Sequence, residues 1–127
     1  MTGQLRLTTP LPAIVEADYD LSDQTILTLQ VFSAQAAPYE GCGIIHIDGS
    51  VTRFANIFGG DRRYNFEMEV DFNFDVPAFA IWHSHPGGRD FMSDTDHTGI
   101  YNMYEAGIKL PWAIVANGEV TIWDLEQ

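Results

Sequence analysis

The sequence predicts one mixed α/β domain of the α+β kind, residues 1–127, with helices packed on a curved β-sheet. Three observations predict it. Segments 20–38 and 93–107 carry helix-start signals followed by apolar periodicity. Two pairs of apolar runs are joined by Asp48-Gly49 and Asn117-Gly118, turn pairs that favour hairpins. Between the helices, "PAFAIWHSH" is a continuous apolar run ending in polar residues, as a central strand does when its C-terminal end opens into a site.

Taken in order, "QLRLTT" alternates apolar and polar residues and suits a short strand that Pro10 and Pro12 would end. In "DLSDQTILTLQVFSAQAAP", Asp20 or Ser22 can cap the helix and Asp23 suits its positive end. Leu21, Ile26, Leu29, Val31, Phe32 and Ala36 give an apolar face, and Pro38 marks the stop. "GCGIIHIDGSVTRFAN" reads as a hairpin, and the alternating "YNFEMEVDF" as a further strand. "SDTDHTGIYNMYEAG" has Ser93 as cap, acids in the first turn, Ile100, Met103 and Tyr104 on one face, and Gly107 as stop. "LPWAIVANGEVTIWDLE" closes the chain as a second hairpin.

A chain of 127 residues can bury one real core, and its 46% hydrophobic and 13% aromatic content is that of a globular protein. Six basic against 18 acidic residues give a formal charge of −12, which argues against nucleic acid or an anionic membrane as the main partner. The single cysteine, Cys42, excludes an internal disulfide. The first residues lack the apolar core of a signal peptide, and no apolar run is long enough to span a bilayer, so a cytoplasmic location is expected.

The chemistry concentrates in residues 83–96. His83 and His85 are two apart in a strand, hence on one face and about 6.6 Å apart along it at about 3.3 Å per residue. Two imidazoles so placed can converge on one ion. Pro86, Gly87 and Gly88 then turn the chain, so that the first turn of the next helix returns Asp96 to the same point. Two histidines and a carboxylate leave the fourth tetrahedral position open, the arrangement of a catalytic zinc site. Peptide hydrolysis also needs a carboxylate near the metal but not on it. Asp90, Asp94 and Glu105 are close in sequence, Glu40 is distant, and spacing alone does not choose among them. Ser93 is a candidate hydrogen-bond donor to an oxyanion. Each signal has a plainer reading: Ser93-x-x-Asp96 is also an ordinary helix cap, and the glycines are also a turn.

His-x-His, seven residues, then Ser-x-x-Asp resembles the signature of the JAMM metalloproteases, the MPN/JAB superfamily. "PYEGCG" (residues 38–43) resembles that family's P-x-E-x-C-G element, and Asn56 followed by Phe66 its N…F segment. The resemblance covers residues 20–123. It implies a cytidine deaminase-like MPN/JAB fold, a mixed curved sheet wrapped around one helix with a second helix packed outside. It implies one zinc ion held by His83, His85 and Asp96, Glu40 as general base and acid, and Ser93 at the oxyanion. The implied substrate is a protein or peptide, often cut after the Gly-Gly of a ubiquitin-like protein. Cys42 becomes a packing residue.

Many members have proline before the serine; here it is Met92. The loop residues Phe91 and Met92 divide between packing and a substrate groove. The compact length and the "LPWAIV" segment resemble the protease domain of phage tail-assembly proteins, commonly joined to an NlpC/P60-type cell-wall peptidase. Partners would then be phage tail proteins, and the location host cytoplasm or virion tail. A non-catalytic MPN-type module of a tail tip and a RadC-like protein are the alternatives; Ser84 between the histidines departs from the second.

Overall fold

The computed structural model describes residues 11–126. The strand expected at 4–9 lies outside them. In chain order the elements are β1 (Ile14–Ala17), α1 (Asp23–Ala36), β2 (Cys42–His46), β3 (Val51–Phe54), β4 (Ala78–Ser84), α2 (Asp94–Glu105), β5 (Trp112–Ala116) and β6 (Glu119–Leu125). They form a mixed α+β domain whose six strands lie in one sheet, ordered β1-β6-β5-β4-β2-β3. Only β4 and β5 are parallel, because the chain between them crosses over through α2; every other neighbouring pair is antiparallel.

Period-2 alternation divides the core between the two faces of the sheet. Ile45, Ala80, Trp82, Ala113 and Val115 pack with Leu29 of α1. Ile44, Ile81, Trp112 and Ile114 pack with Ile100 of α2. One helix therefore covers each face, and strands β2, β4 and β5 are buried on both. This explains their continuous apolar runs.

Helix α1 starts where expected, with the Ser22 side chain accepting from the Thr25 amide at 3.1 Å. Its buried face differs from the expected one. Leu29 is fully buried, but Val31 is 43% exposed, and Thr25 is inside instead. The Thr25 hydroxyl donates to the Gly49 carbonyl at 2.7 Å, tying the helix to the β2–β3 turn. Both hairpins close as their turn residues predict: Gly49 has φ 88°, and Asn117 and Gly118 have φ 53° and 75°. Gly107, just past α2, has φ 87° as a helix stop should.

Two elements depart from expectation. Strand β1 was not foreseen; it pairs with β6 from Ile14↔Leu125 to Ala17↔Ile122. Conversely, residues 64–72 are not a strand. Their alternation survives, since Phe66, Met68, Val70 and Phe72 pack on the α2 side of the core. Their backbone is spent elsewhere, with Asn65 O and Glu67 N bonded by the Asn56 side chain and Glu67 O by the Ile57 amide. Among the described residues no helix is long and apolar enough to cross a membrane.

Candidate metal centre

Strand β4 carries His83 to the C-terminal end of the sheet, and the His85 amide continues the ladder by donating to Val115 O at 2.9 Å. The first turn of α2 brings Asp96 against both rings. His83 Nε2, His85 Nε2 and Asp96 Oδ2 stand 3.0, 3.1 and 3.1 Å from one another. All three side chains are buried. The sequence expectation of convergence holds for this trio. A tetrahedral ion with bonds of about 2.0–2.1 Å would space its ligands about 3.3 Å apart, close to this triangle.

The donor chemistry fits a cation. Asp96 Oδ2 accepts from the Ser93 amide at 3.0 Å, which uses one lone-pair direction. The Nδ1 of His85 lies 2.7 Å from the Arg89 carbonyl and must donate to it. In the neutral ring that leaves a lone pair on Nε2, facing the Asp96 carboxylate oxygen. Two lone pairs at 3.1 Å repel unless a proton or a metal ion lies between them. The same contacts shift the titration of all three groups. Burial opposes a charge on His85, yet the hydrogen bonds to Asp96 and the Arg89 carbonyl and the nearby carboxylates raise its pKa overall. For Asp96, burial is outweighed by His83, His85 and the Ser93 amide, which hold its carboxyl well below the usual range. Burial is the main influence on His83 and lowers its pKa.

Glu40 sits between α1 and β2 and is 3% exposed. One ligand atom each of Glu40, His83 and His85 lie within 4.8 Å of one another, so this group too could hold a metal ion. Two carboxylates therefore face the histidine pair. Asp96 is the one hydrogen-bonded to both rings, whereas Glu40 Oε1 has no partner. Burial drives the Glu40 pKa up to about 8, with His85 and Arg89 pulling the other way. The alternatives that spacing left open separate here: Asp90, Asp94 and Glu105 are exposed.

Ser93 is the N-cap of α2. Its Oγ accepts from the Asp96 amide at 3.1 Å while its amide donates to Asp96, a complete capping box. Its own hydroxyl proton has no acceptor among the described residues. Cap and candidate site are thus one structure: the turn that starts the helix fixes the Asp96 carboxylate.

Three residues hold the centre without joining it. Phe66 stacks on His83, with ring centroids 4.6 Å apart. Asn56 donates to Glu40 O at 3.0 Å and so fixes the segment that carries the carboxyl. Both stood in the sequence only as an N…F pattern. Ser84 was missed as a functional residue. Its buried hydroxyl accepts from the Gly41 amide at 2.7 Å, and its amide donates to Gly41 O at 2.9 Å. It thus locks the residue after Glu40 to the strand between the two histidines. Apart from that His-Ser-His position, no sequence signal marks it. Cys42 is buried with its thiol pushed up to about 11, chiefly by burial, which suits packing and not nucleophilic attack. Met92 is buried in the core, whereas Phe91 is 50% exposed.

No family model, curated protein or solved structure matches the chain.

Proposed function

We propose that this protein is a zinc-dependent peptidase or isopeptidase of the kind its motif resembles, the JAMM metalloproteases. One observation carries the reading: two imidazole nitrogens and a carboxylate oxygen converge at 3.0–3.1 Å beside a second, unpaired buried carboxyl. In this reading His83, His85 and Asp96 hold one zinc ion. A zinc ion so held supplies Lewis acidity, lowering the pKa of water to about 7 and polarising a carbonyl.

The side chains do the rest. Glu40, whose carboxyl lies beside both rings, is the general base and then the general acid. It takes the proton of the attacking water and delivers it to the departing amine. The Ser93 hydroxyl donates to the oxygen that becomes negative. Phe66 excludes water from one face of His83, and Ser84 and Asn56 keep Glu40 at its distance from the rings.

The substrate in this reading is a protein or peptide. A groove of about 400 Å³ starts at Asp96 and runs between α2 and residues 58–72, lined by Phe58, Phe66, Met68, Val70 and Trp112. It supports a substrate with an apolar side chain near the cut bond. A ubiquitin-like substrate, a cytoplasmic or phage-tail setting with an NlpC/P60 partner, and the cytidine deaminase-like MPN/JAB arrangement belong to the same proposal. The unpaired Glu40 favours it over a non-catalytic tail-tip module, which needs no buried carboxyl there; a RadC-like protein remains the other alternative.

The test is cleavage by the zinc-loaded chain of linear peptides, Lys-linked isopeptides and Gly-Gly-ended ubiquitin-like fusions. Hydrolysis should stop with a chelator and return with zinc. Hydrolysis that persists in a metal-free Asp96→Ala variant would sink the mechanism.

A further inference from the structure

The chain carries 18 acidic and six basic residues, yet its cations are unevenly placed. Arg53 and Arg62 line one cavity of about 530 Å³, together with Tyr39, Glu40, Gly41 and Asn56. Neither arginine forms an ion pair with a carboxylate among the described residues; the arginine that does is Arg63, bound to Asp61 at 2.8 Å. Both side chains are steered by neutral acceptors that leave their charge uncancelled. Arg53 Nη1 donates to Gln35 Oε1 at 3.3 Å, and Arg62 Nε to the Phe58 carbonyl at 2.9 Å. The charge of Arg89 also acts on Glu40. In a molecule of charge −12, two arginines share one concavity with a single acid, the buried Glu40. A planar guanidinium fork matches the paired oxygens of a carboxylate or a phosphate, and of the two a peptide substrate carries the carboxylate.

We propose that this cavity is an anion subsite that binds a carboxylate of the substrate on the leaving-group side of the cut bond. The side follows from the peptidase reading, on which this inference rests: Glu40 protonates the departing amine, and Glu40 lines the cavity. The carboxylate is either the free C-terminus of the departing peptide or an Asp or Glu side chain close behind the amine. Substrates acidic or ending shortly after the bond are selected, against the repulsion of the overall field.

The test uses the full-length, isotope-labelled chain without zinc and follows the Nε–Hε signals of its arginines. N-acetylglycine offers a terminal carboxylate, N-acetylaspartyl amide a side-chain carboxylate, and N-acetylglycinamide neither. Arg53 and Arg62 should shift saturably with the two acids and not with the amide. Arg63, already paired, should stay in place. Arg53→Gln combined with Arg62→Gln should weaken acid binding about tenfold or more, the scale of losing charge-assisted contacts. Tighter binding of N-acetylglycine assigns the site to a terminal carboxylate, and tighter binding of N-acetylaspartyl amide to an acidic side chain. Equal shifts with the amide, or no saturable shift at Arg53 and Arg62, would overturn the subsite without any need for a variant. Because the readout requires neither zinc nor hydrolysis, a missing carboxylate response beside normal zinc uptake rejects the subsite alone. Carboxylate binding in a chain that takes up no zinc rejects the peptidase reading alone.

Discussion

Replacing Glu40 with glutamine should stabilise the metal-free protein while it removes activity. In the folded chain Glu40 is 3% exposed and its Oε1 has no hydrogen-bond partner. Burial raises its pKa from 4.5 to about 8. Between those two values the folded chain holds a proton that the unfolded chain has released, so stability falls as pH rises. With about 1.36 kcal/mol for each tenfold change in proton affinity, the penalty at pH 7 is on the order of 3 kcal/mol. Glutamine is nearly the same shape and has no proton to lose. Chelator-treated Glu40→Gln should therefore match the parent chain below about pH 4.5 and exceed it by roughly 3 kcal/mol at pH 7, a rise in Tm of about 10 °C. Urea unfolding of both proteins at pH 4 to 9 measures this directly. Parallel stability curves across that range would show that Glu40 ionises without penalty, and its assignment as a poised acid and base would fall. In the zinc-loaded protein the same variant should retain the metal and lose about 10²–10⁴-fold in hydrolysis.

Other substitutions probe the surrounding frame. In the metal-free chain, Asp96→Asn should lower the pKa of His85 by NMR titration, because burial then acts against fewer opposing charges. The stability that the raised His85 pKa provides is complete below about 6.5 and fades as pH rises through its folded value, so the variant should lose most stability on the acid side. Ser84→Ala leaves the buried Gly41 amide without its 2.7 Å acceptor and should cost about 1–3 kcal/mol, with kcat falling more than zinc affinity. Gly43→Ala drives a methyl group into the Thr52 carbonyl and to 2.6 Å from Trp82 Nε1, and should destabilise by about 3 kcal/mol in thermal melts. Ser93→Ala should cost about 1 kcal/mol of stability as a lost cap. It should cost about 2.7–4 kcal/mol in the barrier as a lost oxyanion donor; equal losses in the two measurements would reduce Ser93 to a cap.

The parts of the fold governed by local rules were legible. Ser22 and Ser93 cap their helices, and Asn117-Gly118 turns with both φ positive. Strand β4 shows its double burial as an unbroken apolar run because sheet period and chemistry coincide there. What failed depended on distant partners. Residues 64–72 alternate like a strand, since alternation reports only which side packs. Whether a ladder forms is decided by Asn56 and Ile57, which bind their backbone first. Val31 looked like core on α1, but it lies off the Thr25–Leu29 face that meets the sheet, where Thr25 bonds the Gly49 carbonyl across 24 residues of sequence. The same division runs through the candidate site. His83, His85 and Asp96 were readable because a strand period and a helix start bring them together. That Glu40 faces them depends on Ser84 and Asn56, whose bonds no spacing rule announces.

Metal content tests the central claim most directly. The purified chain, stripped with chelator and re-titrated with zinc, should bind about one ion per chain and release protons as it does so. Asp96→Ala and His83→Ala should each abolish that uptake. Failure of the folded, stripped parent chain to bind zinc would contradict the account.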